Sequence, residues 1–596
     1  MLWSCVRVVA ATMLIGTWSA ASPATANRWT QPEVLLDRGN RVLDPNVLAG
    51  PRRYAVTVWT SGTLRAVPAS DDLRATTREE NRVFASVREP GARRFGRPTP
   101  LSPRGAVGTG LAMNENGETV VAWINSKERV QVAMRTPDED WSAPQTVSGS
   151  GIDSASIAVA REGTAVVAWR DAPTGEEAMV HVAVRRPDGS FGSPQSTPAP
   201  GIGNYGPIAA ASPQGALVAW SGECPLFDPE AQKSTTALPV DLDGRLGAPE
   251  EIPNSTCPDA GIALEMDDQG GAVLMVNGSL EGGGVRAALR PPGGPFAPAA
   301  LISREHETEI ADFAELGIDA SGRAVAVWPV FEDGEAIGRQ AALREPGGGF
   351  EPPRGVRGSG AIQAPLAMSP AGHALTLWYH FPSARLAASY LSPGGWFGRR
   401  ELVTPRLPRH AVTIPSAAVS PEGEALAAFS RPPPLGVGDG ASRGVFVSKR
   451  APNCRGVEAT MLGTPGADVL RGVSGRRDVI LARAGNDRIN GRGGRNVICG
   501  GAGDDAIRSG RGDNRIYAGI GDDWVRVGAG DNLIIPGPGD DRILARAPGR
   551  NTIRARRGTN RIHCGAGRDL VVTNHLSQVN HRCDRVIRRS ESAESP

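Results

Sequence analysis

From about Gly463 the chain obeys a nine-residue period, and this single feature restricts its fold more than any other. The stretch reads GTPGADVLR, then, after an insertion, ARAGNDRIN, GRGGRNVIC, GGAGDDAIR, SGRGDNRIY, AGIGDDWVR, VGAGDNLII and PGPGDDRIL. Phased as Gly-Gly-x-Gly-x-Asp-x-U-x, its apolar place U holds Leu470, Ile480, Ile489, Ile498, Ile507, Ile516, Val525, Ile534, Ile543, Ile553, Ile562 and Val571. The x-U-x portion reads as a three-residue strand with U on one face and its neighbours on the other. The glycine-rich portion must turn tightly, and glycine accepts positive φ without steric cost. One such repeat cannot bury its apolar side chain alone, so the repeats must stack and line their U residues into a thin aliphatic file.

The pattern resembles the RTX, or haemolysin-type, calcium-binding repeat over about residues 454–585. The resemblance implies a right-handed parallel β-roll with two nonapeptides per coil and calcium in the turns between coils. Chemistry agrees: calcium takes six to eight hard oxygens from carboxylates and carbonyls. Aspartates stacked at a strand spacing of about 4.8 Å repel one another without a cation. Through the middle of the array the sixth place alternates between Asp and Asn. With two repeats per coil, Asp487, Asp505, Asp523 and Asp541 stack on one edge, and Asn496, Asn514 and Asn532 on the other. The candidate calcium ligands are therefore those four aspartates, with Gly503, Gly521 and Gly539 at the fourth place and Asp504, Asp522 and Asp540 at the fifth. The asparagine edge is expected to be a neutral amide ladder, although Asp513 and Asp531 bring carboxylates to it. Beyond Pro548, Arg550, Arg556, Arg557 and Arg568 crowd the turns, and a metal-free solenoid is expected there.

Before residue 450 a longer repeat of about 50 residues recurs. A glycine turn leads into a β-rich run closing on Trp: Gly117 to Trp123, Gly163 to Trp169, Gly215 to Trp220, Gly322 to Trp328 and Gly372 to Trp378. Weaker copies end at Trp59, Val276 and Phe429. A second strand follows, usually ending in Arg (VQVAMR to Arg135, VHVAVR to Arg185, VRAALR to Arg290), then an aromatic and a proline. Four short strands per unit of this length give a β-propeller. Eight units predict eight blades, with seven the alternative, and the closing Trp packs between blades. The turn Asp319-Ala-Ser-Gly322 loosely resembles the Asp-box hairpin of sialidase-like propellers, but no unit carries the whole box and no arginine triad is seen.

The predicted fold class is all-β: a signal peptide over 1–26, a propeller over 27–450, a β-roll over 451–588 and a disordered tail over 589–596. The signal rests on Arg7, the apolar stretch Val8 to Ala20 and the small-x-small site Ala24-Thr25-Ala26. No later segment is apolar for the ~18 residues a membrane span needs. Six cysteines then remain, and export favours disulfides: Cys224–Cys257, Cys454–Cys499 and Cys564–Cys583 by proximity. No Cys-x-x-Cys spacing supports zinc. The net charge of +2 combines an acidic N-terminal part with a basic C-terminal part. Neither is dense enough for nucleic acid, and the arginines read as a solvated surface.

Other motifs dissolve on context. Gly440-Ala-Ser442-Arg-Gly444 matches a nucleophile elbow but lies between a Pro-rich loop and a strand. Arg511-Gly512-Asp513 follows from the repeat, and the eight histidines show no metal spacing. The reading is a secreted, calcium-binding and non-catalytic protein whose propeller presents a surface to an extracellular glycan or protein. The alternative is a glycan or polymer hydrolase in the propeller funnel, which needs convergent carboxylates that sequence alone does not nominate. A surface-layer or spacer protein is a third. The N-terminal signal departs from the usual RTX export route, and no acylation or pore segment supports a toxin.

Overall fold

The computed structural model describes residues 29–62 and 81–588, apart from short loop stretches of which the longest are 172–177, 223–234, 256–260, 278–283, 305–313, 357–364, 406–414 and 432–442. The expected signal, the tail and the pair Cys224–Cys257 lie outside the described residues.

Runs of Val, Ala, Leu and Trp bounded by glycine turns form four-stranded antiparallel meanders. The third unit is typical: Ile152–Val159, Ala165–Asp171, Met179–Val184 and Gln195–Pro198 pair in chain order. The first strand of each sheet contacts the first strand of the next, and these contacts close on themselves. The result is a ring of eight blades around a central channel. One long strand, Glu33–Ala49, closes the ring. Its first part pairs with Arg443–Arg450 as the outer strand of blade 8, and its second part pairs with Ala55–Gly62 as the inner strand of blade 1.

Local chemistry explains each hairpin. Asp319 Oδ1 accepts from the N–H groups of Ser321 (2.9 Å) and Arg323 (3.0 Å), while Gly322 takes the left-handed conformation at φ 88°. Asn114 and Asp267 make the same turn on other blades. The closing tryptophans are buried between blades as expected: Trp123 with Tyr54 and Val56 of blade 1, Trp169 with Val120 and Ala122 of blade 2, Trp328 with Val273 and Met275 of blade 5.

The arginines that end the third strands correct the expectation of a solvated surface. Arg185 Nη1 donates to Glu118 of the preceding blade (2.5 Å) and to the Gly163 carbonyl (2.9 Å). Arg88 is buried and pairs with Glu424 across the ring closure. Arg450 pairs with Glu401 (2.8 Å) and lies over the Tyr390 ring. At the blade ends small residues leave gaps that a long side chain can fill, and burial there demands a charge partner.

After Asn453 the chain becomes a parallel β-roll. Alternate repeats fall into two parallel sheets, one of eight strands from Met461–Leu462 to Arg585–Arg588 and one of seven from Val469–Arg471 to Gln578–Val579. The U residues from Ile480 to Val571 form one buried file between them. Cys454–Cys499 ties the segment leaving the propeller to the roll, and Cys564–Cys583 ties its far end, both as expected. Among the described residues no helix is long and apolar enough to cross a membrane.

Candidate functional site

Each sixth-place residue sits immediately before a strand, at a corner where the coil turns inward. Asp487, Asp505, Asp523 and Asp541 precede successive strands of the seven-stranded sheet, and Asn496, Asn514, Asn532 and Asn551 those of the eight-stranded sheet. The two edges form as the alternation requires. On the aspartate edge one carboxylate oxygen is used: Oδ1 of Asp505 accepts from the N–H of Asp487 (2.9 Å), Asp523 from Asp505 (2.9 Å) and Asp541 from Asp523 (3.1 Å). The other oxygen, Oδ2, is buried without a hydrogen-bond partner in all four.

The asparagine edge runs the same backbone ladder, and its asparagines leave no such orphan; only Asp569, the aspartate that ends this row, has a buried Oδ2 without a partner among the described residues. Asn514 Nδ2 donates to the Gly512 carbonyl (2.7 Å) and Asn532 Nδ2 to that of Gly530 (2.9 Å). Asn496 Nδ2 reaches the Gly491 carbonyl (2.8 Å). The two corners are superposable in sense: beside Gly491 stands Asn496 Nδ2, and beside the equivalent Gly500 stands Asp505 Oδ2. An amide nitrogen there satisfies turn carbonyls, whereas a carboxylate oxygen sets acceptor against acceptor. Burying an unpartnered carboxylate is costly, and the acids respond. Desolvation pushes Asp487 and Asp505 up to about 6, Asp541 to about 7 and Asp523 to about 8, with the neighbouring rungs' negative charges adding to it.

The fifth-place candidates behave differently. Asp504, Asp522 and Asp540 are exposed and build their own outer ladder, Asp522 N–H donating to Asp504 Oδ1 (2.8 Å) and Asp540 N–H to Asp522 Oδ1 (2.7 Å). They add charge beside the buried row. Gly503, Gly521 and Gly539 occupy the turns at φ 116°, 131° and 135°, where a Cβ would strike the carbonyl of the rung before. Asp513 and Asp531 on the other edge are neutralised by Arg495 (3.5 Å) and Arg550 (3.1 Å). Among the described residues no three His, Cys, Asp or Glu side chains converge on one point. A cation's shell at these corners therefore needs backbone carbonyls as well as carboxylates, which suits calcium.

Sequence reasoning missed a second acidic feature, in the propeller channel. Glu265 and Glu315 stand on the innermost strands Ile262–Met266 and Glu315–Ile318 of blades 5 and 6. At Glu265's height the other blades carry Leu48 and, as expected where eight strands crowd an axis, the small residues Ala112, Ala158, Ala210, Gly317, Ala367 and Ala418. Both glutamates keep some accessible surface. Desolvation pushes each to about 7, and Glu315 raises Glu265 further while Arg339 opposes the rise at Glu315. Glu265 also lines a cavity of about 250 Å³ with Leu316, Met368 and Val419. The signal available in sequence was one acid in an otherwise apolar, mostly small-residue column, visible only once the blades are aligned.

Residues 462–573 carry four copies of the RTX calcium-binding nonapeptide repeat. No curated protein matches the chain. Solved structures resemble it weakly: a BP39L lectin from Burkholderia pseudomallei (17% identity, 56% of this chain, 99% of that one, TM-score 0.35), a puromycin hydrolase (13%, 74%, 63%, 0.38) and an ulvan lyase (10%, 63%, 96%, 0.37). At such scores none of them bears on what this chain binds.

Proposed function

We propose that this protein is a secreted binding protein whose β-roll is completed by calcium on the aspartate edge and whose propeller presents a ligand surface. The supporting observation is the row of buried, unpartnered Oδ2 atoms on Asp487, Asp505, Asp523 and Asp541, set against the fully satisfied amides of the opposite edge. Asp504, Asp522 and Asp540 would raise the local negative charge, and the turns at Gly503, Gly521 and Gly539 would offer carbonyls. Calcium would supply the positive charge that the aspartate corners lack. Extracellular sites commonly bind at roughly 10⁻⁴ to 10⁻³ M. The test is thermal denaturation of the whole chain with a chelator and with millimolar calcium. A calcium-dependent rise supports the reading, and an unchanged curve refutes it. The disulfides at both ends of the roll accord with an exported protein.

A second reading keeps the propeller as a hydrolase. It is favoured by the coupled pair Glu265 and Glu315, two carboxyls near neutrality beside Arg339, because an acid held near pH 7 can exchange protons. Hydrolysis of a glycan panel, abolished by Glu265→Gln, would favour it over pure binding. No turnover by the parent chain would leave binding as the propeller's role.

A further inference from the structure

The inward file of U residues forces the seventh and ninth places of each repeat outward. On the seven-stranded sheet these places carry Arg471, Arg488, Arg508, Arg526, Arg542 and Arg561, all exposed, and no acidic residue. None of the six makes an ion pair or a side-chain hydrogen bond among the described residues. Arg508 instead lies over the ring of Trp524, 5.2 Å from its centroid. The contrast with the asparagine edge is direct, since Arg495 and Arg550 there each find an aspartate. A groove of about 540 Å³ runs beside the ninth-place column, lined by Arg508, Arg526 and Arg546 together with Asn490 and Leu544. Like charges fixed one or two rungs apart on a rigid parallel sheet repel, and no acid at the outward places of its strands offsets them; the fifth-place aspartates stand at the edge, in the turns before the strands.

We infer that this face binds a linear acidic polysaccharide. The partner must carry negative charge at intervals along an extended chain, because the arginines repeat along the roll axis at multiples of about 4.8 Å. Arginine forks suit carboxylate and sulfate groups, which they grip in pairs of hydrogen bonds. Single-stranded nucleic acid would want an aromatic platform for successive bases, and Trp524 stands alone with one face taken by Arg508. A lipid surface would want inserted apolar side chains as well as charge; on the strands of this sheet the exposed large apolar residue is Val469, on the first strand, while Ile520 and Leu576 lie outside these strands. The inference concerns the roll's flat face and stands whichever role the propeller has.

The test uses the whole chain in millimolar calcium with dextran sulfate, uncharged dextran of the same length, single-stranded DNA and phosphatidylserine vesicles. The expected result is binding to dextran sulfate, none to dextran, and a steep loss between about 50 and 200 mM salt. Arg508→Gln with Arg526→Gln and Arg542→Gln should weaken it by about tenfold or more at an unchanged melting temperature. Arg495→Gln with Arg550→Gln, on the neutralised edge, serves as the control and should leave it within about twofold. Undiminished binding by the triple variant, or tighter binding to DNA or to vesicles than to dextran sulfate, overturns the inference.

Discussion

At the sixth place of each repeat the roll offers its corner either an amide or a carboxylate, and the two differ by one donor group. Where Asn stands, Nδ2 fills the turn carbonyls; where Asp487, Asp505, Asp523 or Asp541 stands, Oδ2 is left without a partner. Exchanging Asp505 and Asp523 for Asn should therefore abolish calcium-dependent stabilisation. It should also raise the stability of the calcium-free chain, by about 1–3 kcal/mol per relieved corner, as read from urea denaturation with a chelator. Retained calcium dependence would move the site off this edge. The same residues set a pH dependence. Their carboxyls ionise in the fold at about 6 to 8 against an ordinary 3.8, so the fold holds protons more tightly than the unfolded chain does. Without calcium, stability is thus greatest near pH 4 and falls as pH rises through 6 to 8. Calcium stabilisation should run the opposite way, shrinking as protons compete below about pH 6. Melting curves across that range, with chelator and with calcium, should converge at low pH and separate at high pH.

Among elements, the strand ending in arginine shows what a sequence conveys and what it hides. Arg88 bonds the Arg53 carbonyl (2.7 Å), lies against Phe95 and pairs with Glu424, with side-chain exposures of 1% and 6%. Arg88→Met would leave Glu424 buried and unpaired, a loss of about 3–5 kcal/mol, and Glu424→Leu in the same chain should recover most of it. The exposed pair Arg245 and Asp243 (76% and 72%) should cost no more than about 1 kcal/mol when broken. Denaturant midpoints of the variants check both statements. The strands themselves were legible, because alternation in VQVAMR and the turn glycines are local signals. The arginine's role was not, since Glu424 lies 336 residues from Arg88 and only ring closure brings them together. The roll was legible almost to the side chain: a nine-residue period with an inward U fixes the stacking, and the Asp and Asn edges follow by parity. Glu265 and Glu315 stayed hidden because a channel wall is assembled from strands far apart in the chain.

In the whole molecule the two units solve the problem of free ends differently. The propeller has none, because Glu33–Ala49 joins blade 8 to blade 1. The roll carries covalent ties at its ends, Cys454 packing with Val479 and Val497 at one end, where Arg483 also faces Glu422 and Tyr390 of the propeller, and Cys583 joining the aliphatic file at the other. The roll's apolar file is separate from the clusters between blades, so calorimetry of the intact chain should resolve its transition from the propeller's. Cys454→Ser with Cys499→Ser opens a loop closed over 45 residues, a loss of about 4 kcal/mol on the chain-entropy estimate. That loss belongs to the roll, whose transition should fall while the propeller's holds. Calcium acts on the same unit: a site filled at 100 times its dissociation constant contributes about 2.7 kcal/mol, so two filled sites outweigh the missing tie. In saturating calcium the variant's roll should therefore melt close to the parent's calcium-free value or above it. A variant whose propeller transition falls instead, or whose roll gains nothing from calcium, would show that the tie and the cation do not stabilise one common unit.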